Sequence, residues 1–419
     1  MTPVERPQAP VHAAMSQWPV RSGELIVGGQ PLSRLAARIG QTPFYAYDRG
    51  LLRARVAELR ASLPAAIELH YAMKANPMPA VVGLMATLVD GIDVASAGEL
   101  KVALDAGTDP REVSFAGPGK RDGELVQAVA AGVLVNIESM RELPVLAGAS
   151  QRLGLPARVA VRVNPDFELK GSGMKMGGGP KQFGIDVAQV PEVMGRIAEA
   201  GLAFEGFHLF AGSQNLRAEA ICEAQRKSFD LALRLATLAT QPVRFLNLGG
   251  GFGIPYFPGE QRLDLGPIGE NLANLVERAQ RELPHAALVI ELGRYLVGEA
   301  GVYVARVVDR KQSGGQVFLV CDGGLHHHLA ASGNFGQVVR KNYPVTTSPG
   351  APGGRANVVP ESVSVVGPLC TPLDMLADRM ALPHAEVGDL VVVFQSGAYG
   401  ASASPQAFLS HPPCAEVLV

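Results

Sequence analysis

ELHYAMKANP, residues 68–77, sets a β-rich run directly before a lysine, with a helix start close behind. From about Ile67 to Arg294 the same alternation recurs. Further runs of this kind are Gly91–Ala95, Val113–Ala116, Val133–Ile137, Arg158–Val163, Phe204–Leu209, Phe245–Leu248 and Ala287–Glu291. Between them, Gly98–Ala106, Asp122–Ala131, Val190–Ala200 and Ile268–Leu283 place apolar residues at helical spacing. Eight strand–helix alternations over roughly 230 residues suit a (β/α)8 TIM barrel. A doubly wound open sheet writes a similar pattern.

The texture changes after Arg294. Gly301–Val308, Gln316–Cys321, Ser362–Val366 and Leu390–Phe394 are Val-rich and separated by turn residues, as in a mostly β domain. Glu24–Val27 and Phe44–Tyr47 also read as strands, so that domain is expected to draw on both ends of the chain. The expected division is a barrel over 46–295, a C-terminal β-sandwich or β-barrel domain from 23–45 and 296–419, and an N-terminal extension over 1–22. Residues Thr346–Asn357 (TTSPGAPGGRAN) read as a mobile loop.

With 47% apolar and 18% charged residues, a net charge of −2 and no basic block, the composition points away from nucleic acid and anionic membranes. Cys222, Cys321, Cys370 and Cys414 are scattered without a CxxC pair, which suits free thiols in a reducing cytoplasm. Pro3, Pro7, Pro10 and Pro19 punctuate a start that lacks the pattern of a secretory signal. The longest apolar stretch, Leu125 to Ile137, is interrupted by Gln127 and Asn136 and is too short to span a bilayer.

Barrel enzymes build their sites at the C-terminal ends of the strands. Lys74 closes the first one, and an apolar approach can desolvate such a lysine and favour a Schiff base. Taken alone, it reads as readily as a surface lysine. Gly249, Gly250 and Gly251 in LNLGGGFG let backbone N–H groups approach a phosphate, or simply make a tight turn. In ELGRY, Arg294 suits a phosphate and Glu291 a buried cationic nitrogen. The same pair also suits a salt bridge at the barrel rim.

Nine motifs in order, YAMKAN, DVASAGEL, RVNPD, FGID, GSQ, LNLGGGF, ELGRY, GPLC and SGAYG, carry a resemblance from about Thr42 to Val419. The chain resembles the fold-type III pyridoxal 5′-phosphate decarboxylases, the family of diaminopimelate and eukaryotic-type ornithine decarboxylases. The resemblance implies an alanine-racemase-like barrel and a homodimer with its active site at the subunit interface. Lys74 would bind the cofactor covalently. Ser213, Gly251, Gly293, Arg294 and Tyr399 would hold its phosphate, while Asp93, Glu99 and Arg162 would line its cavity. Cys370 would reach the partner subunit's site and manage protonation of the product. A carboxylate at Glu291 keeps the pyridine nitrogen protonated and the ring a strong electron sink, which favours decarboxylation over racemisation. The related racemases present an arginine there.

Three departures bear on the substrate. HLFAGSQ stands where diaminopimelate decarboxylases carry CHIGSQ. Phe210 therefore takes the place of the ring-stacking histidine, and His208 lies two residues earlier. Cys370 is followed by Thr371 and Pro372 rather than by the acid that would pair with a distal ammonium, and Asp374 lies four residues on. The segment from Asp322 to Val345 differs from its family counterpart. It carries His326–His328, read as an interface or substrate-rim segment rather than a metal site, and Arg340. Arg340, Thr371 and Asp374 are the candidate substrate contacts.

CTPLD and HLFAGSQNL resemble the decarboxylases associated with exosortase or exopolysaccharide gene clusters. They also resemble the butirosin-type enzyme that decarboxylates a glutamyl group on an acyl-carrier protein. The expected substrate thus lacks a free distal ammonium and is carrier-bound in one version. A diaminopimelate or ornithine-type decarboxylase and a non-catalytic cofactor-binding relative are the alternatives.

Overall fold

The computed structural model describes residues 10–167, 174–175, 177–351 and 359–419. Ile67–Ala72 (β1) is nearly continuous in apolar residues and almost wholly buried, as a strand covered on both faces must be. Parallel strands of the same kind follow: Gly91–Val94 (β2), Val113–Phe115 (β3), Leu134–Ile137 (β4), Arg158–Asn164 (β5), Ala203–Leu209 (β6), Phe245–Gly250 (β7) and Ala287–Leu292 (β8). Each pairs with the next in sequence. Between β8 and β1 the ring closes, with Leu288 opposite Ile67 and Glu291 opposite His70. A doubly wound sheet has two free edges and a reversal of strand order. Neither is present in this ring, so the fold is an eight-stranded parallel barrel.

The four helices foreseen from spacing are present at Ala97–Asp105, Asp122–Ala131, Val190–Glu199 and Gly266–Glu282. Ser96 caps the first by accepting from the Glu99 amide at 3.1 Å. Gly132 ends the second in the left-handed region. Helices Pro79–Met85, Glu142–Leu153 and Ala218–Ala236 complete much of the outer layer. Ala218–Ala236 and Gly266–Glu282 lie side by side. Asn271 donates to Gln225 at 2.9 Å, and the Arg278 guanidinium covers the Phe229 ring at 4.7 Å from its centre.

The chain divides into two compact units. One holds the barrel, Leu52–Gly253 with Leu263–Val297. The other takes the described residues up to Leu51 together with Ile254–Arg262 and Gly298–Val419. In the second unit the strands run in the order Val345–Ser348, Leu390–Val393, Gly301–Ser313, Gln316–Cys321, Pro360–Val366, Met375–Pro383. Phe44–Tyr47 pairs with Gly301–Val304 on one side and with Ala415–Leu418 on the other. Its core joins Trp18, Leu25, Val27, Leu32 and Leu35 to Phe44, Val302, Val304, Leu390 and Val392.

The loop expected at Thr346–Asn357 begins later than its composition suggests. Thr346 and Thr347 sit in a strand against Val392 and Val391, where β-branched residues pack well. The strand runs through Ser348, the turn residues start only at Pro349, and residues 352–358 lie outside the described residues. All four cysteines are free thiols. Among the described residues, no helix is long and apolar enough to cross a membrane.

Packing on the outer layer generates a sign reversal. A Cβ at Gly269 would meet the Ser62 carbonyl oxygen at 2.2 Å, whereas one at Gly195 meets nothing within 4 Å. Gly195→Ala is therefore expected to raise the thermal midpoint, worth up to about 1 kcal/mol of helix propensity. Gly269→Ala should lower it, by about 1–3 kcal/mol of overpacking. Scanning calorimetry on both variants checks the pair.

Candidate active site

Chain geometry after β1 presents the lysine. The strand ends at Ala72 and passes into a single 3-10 turn, Met73–Ala75, whose flanking residues are buried. Lys74 alone points out, its side chain 43% exposed. The desolvation expected from its apolar approach is thus not a property of this structure, because the buried neighbours turn the lysine into the barrel mouth. Its Nζ lies 3.9 Å from Glu291 Oε1, at the end of β8, and 5.6 Å from the centre of the Phe210 ring beyond β6.

Glu291 is buried at 6% exposure, and its two oxygens face different neighbours. Oε1 faces Lys74. Oε2 accepts from Asn247 Nδ2 at 3.4 Å and lies 2.9 Å from His208 Nε2, whose ring is turned somewhat off the ideal hydrogen-bond line. Burial alone would raise this carboxyl. The His208 contact and charge, together with Lys74 and Arg162, outweigh it and hold the group at about 2. The carboxylate is anionic.

The glycine run forms the adjoining lip, with Gly250 paired to Glu291. Gly251 adopts φ 75°, and a Cβ there would lie 2.1 Å from the Gly212 carbonyl oxygen; at Gly250 it would lie 2.0 Å from that of Glu291. Only glycine lets these strand ends approach so closely. Gly249 donates to Asn247 Oδ1 at 2.8 Å, and Gly293 packs where a Cβ would lie 2.9 Å from that of Ala75. Beside them the Ser213 hydroxyl is buried with no hydrogen-bond partner among the described residues. Arg294, half-buried, opens the short helix after β8.

On the wall, Arg162 donates to Glu138 at 2.8 Å and stacks over Phe183. Burial pushes the Glu138 carboxyl up, but Arg162, Lys120 and the Gly117 amide hold it below its usual value. Asp93 contacts His70 Nδ1 at 3.1 Å through one oxygen; the other is buried without a partner among the described residues. Glu99 accepts from the Ala95 amide at 2.7 Å. Burial raises its carboxyl, against that amide and the charge of Lys74.

The remaining candidates belong to the β unit. Cys370 is exposed beside Thr371. Asp374 is buried, with Oδ1 accepting from the Leu325 amide and Oδ2 from the Leu369 amide, so its carboxylate holds this loop in shape. Arg340 donates to the Met375 carbonyl at 2.6 Å, and the Tyr399 ring lies 6.4 Å from that of Phe335. His326–His328 depart from a rim position, being at most 1% exposed. Burial, with His327 and His411, pushes His326 down to about 4, and burial pushes His328 down to about 3, so both are neutral packing groups. Among the described residues no cluster could hold a metal.

A pyridoxal phosphate group fits the barrel mouth. It needs an accessible amine, a buried anion for its ring nitrogen, a ring surface and a phosphate cradle. Lys74, Glu291, Phe210 and the glycine lip with the unpartnered Ser213 hydroxyl match these needs one by one. His208, Asn247, His70 and Glu138 were not assigned roles from sequence. A signal for His208 existed, since within β6 it alternates with the apolar Phe207 and Leu209 and so faces away from them.

Known proteins agree with this geometry. A family model described as "pyridoxal-dependent decarboxylase, pyridoxal binding domain" matches residues 49–298. The L-glutamyl-[BtrI acyl-carrier protein] decarboxylase of Niallia circulans is 40% identical, over 90% of this chain and 89% of its own. The diaminopimelate decarboxylase of Aquifex aeolicus is 33% identical, over 95% and 91%. Among solved structures, Helicobacter pylori diaminopimelate decarboxylase complexed with L-lysine superposes with a TM-score of 0.80 at 27% identity, covering 92% and 93% of the two chains.

The depressed Glu291 carboxyl carries a pH signature. Its folded value, about 2, lies below the ordinary 4.5. Its stabilising share is therefore complete above the unfolded value and fades as pH falls through that window toward 2. Between pH 6 and 3, the wild type should lose more of its thermal midpoint than Glu291→Gln, as followed by circular dichroism.

Proposed function

The chain belongs to the pyridoxal-dependent decarboxylases, and on that premise we propose that it decarboxylates an amino acid whose distal end carries no free ammonium, foremost a glutamyl group held on an acyl-carrier protein. One observation carries the reading: Thr371 follows Cys370 where an acid would meet a distal ammonium, and Asp374 has both oxygens engaged by backbone amides. A neutral hydroxyl does not offset the desolvation of a buried ammonium, a deficit of several kcal/mol. A glutamyl side chain closed by an acyl link brings no such charge. The 40% identical relative named for a carrier-bound glutamyl substrate supports the same choice.

The residues take the following parts. Lys74 tethers the cofactor and releases it to the incoming amine. Gly249–Gly251, Gly293, Arg294, Ser213 and Tyr399 hold the phosphate. Phe210 would cover a ring face, Glu291 would pair with the ring nitrogen, and Asp93, Glu99 and Arg162 would shape the wall. Bound pyridoxal phosphate supplies a cationic ring that accepts the electron pair left at Cα when carbon dioxide departs. Holding the scissile bond perpendicular to that ring is the task of these walls. Cys370, exposed on its loop, extends into the site of a second subunit in a homodimer and delivers the proton to Cα. Arg340 would be a further contact for the substrate.

Carbon dioxide release from a panel tests the substrate. The glutamyl-carrier conjugate should exceed meso-diaminopimelate, ornithine and lysine by about 100-fold or more in kcat/KM, the equivalent of the missing charge pair. Thr371→Asp should narrow that ratio. Rapid turnover of free meso-diaminopimelate by the wild type would overturn the proposal, and Lys74→Ala should abolish all turnover.

Cys370→Ala is expected to keep cofactor binding, seen as unchanged visible absorbance, while slowing product formation or diverting protonation. Unchanged turnover and product would remove the thiol from the reaction.

A further inference from the structure

We propose that His208 is a positioning residue that keeps Glu291 anionic once Lys74 is committed to the cofactor, and so fixes the charge of the ring nitrogen from behind. The inference rests on the reading of Glu291 as the partner of that nitrogen. The two carboxylate oxygens divide the work: Oε1 faces Lys74 at 3.9 Å, and Oε2 faces His208 at 2.9 Å and Asn247 at 3.4 Å. A lysine amine joined to an aldehyde carbon no longer stands as a free ammonium. The ammonium's attraction on the Oε1 side is then lost, and apart from the ring nitrogen itself the support for the charge comes from the other side.

The groups around this carboxylate leave few sources. Arg162 and Asn247 flank His208 in register on the neighbouring strands. The Arg162 guanidinium already donates to Glu138 at 2.8 Å. His70 stands opposite Glu291 in register, yet its Nδ1 is 3.1 Å from Asp93. Asn247 is neutral. His208 remains, 2% exposed and at contact distance. A carboxylate only accepts, so Nε2 carries the hydrogen that faces it. Neither ring nitrogen completes a well-aligned hydrogen bond among the described residues, so no acceptor other than this carboxylate, 2.9 Å from Nε2, competes for that proton. Two shielded groups in contact interact more strongly than they would in water.

The test uses holoenzyme carrying pyridoxal phosphate labelled with 15N in its ring, whose chemical shift reports the ring proton directly. Wild type should show the protonated nitrogen from pH 6 to 9. His208→Phe should lose that proton within the range, with kcat down by about tenfold or more and KM little changed. His208→Gln, which keeps an N–H donor, should restore most of both. If Phe is not accommodated, His208→Met, also without a donor, is read the same way. A protonated ring throughout in the donor-less variant, with kcat within about twofold of wild type, would overturn the role of His208 alone. An unprotonated ring in the wild type itself would instead bring down the assignment of Glu291, and this inference with it.

Discussion

A carboxylate kept charged inside the mouth of a closed barrel is the constraint on which the rest of the site depends. Burial works against that charge, and the barrel answers with contacts from several strands. β8 supplies Glu291, β6 His208, β7 Asn247, and the turn after β1 Lys74. None of these strands meets the others correctly unless the ring closes between β8 and β1. The backbone of Glu291 is also what excludes any side chain at Gly250. The acidic group and the glycine lip are thus two results of one close approach between β7 and β8.

Much of the barrel was legible because its strands are short apolar runs and four of its helices show clear spacing. Closure was not. The pairing of Leu288 with Ile67 joins distant parts of the chain, and nothing local in either strand distinguishes a ring from an open sheet. In the β unit, Glu24–Val27 and Phe44–Tyr47 announce themselves by composition. Val345–Ser348 does not, since its threonines sit beside a Pro/Gly-rich stretch that dominates the reading.

Lys74, Glu291 and the glycines were legible as strand-end chemistry, and the family resemblance gave them roles. The structure brings Lys74, Glu291 and Phe210 together at the mouth, with the glycine lip and the wall residues on the same barrel. What sequence alone could not supply was the state of each group. Lys74 is open rather than desolvated, because burial is a property of neighbours brought in by folding. Three adjacent histidines look like a surface feature in one dimension, yet His326–His328 fill a core. His208 was noted only as lying two residues before Phe210, because its contact with Glu291 depends on strands that folding brings together.

The placement of Phe44–Tyr47 between Gly301–Val304 and Ala415–Leu418 has a consequence for biosynthesis. A ribosome delivers this strand long before either neighbour, Gly301–Val304 first and Ala415–Leu418 later. Barrel strands can pair with sequence neighbours as they emerge, whereas Phe44–Tyr47 waits for Gly301–Val304 and stays half-matched until Ala415–Leu418 follows. Vectorial synthesis therefore leaves an apolar strand edge uncovered over a long interval at Phe44–Tyr47, the kind of edge that invites pairing with another chain.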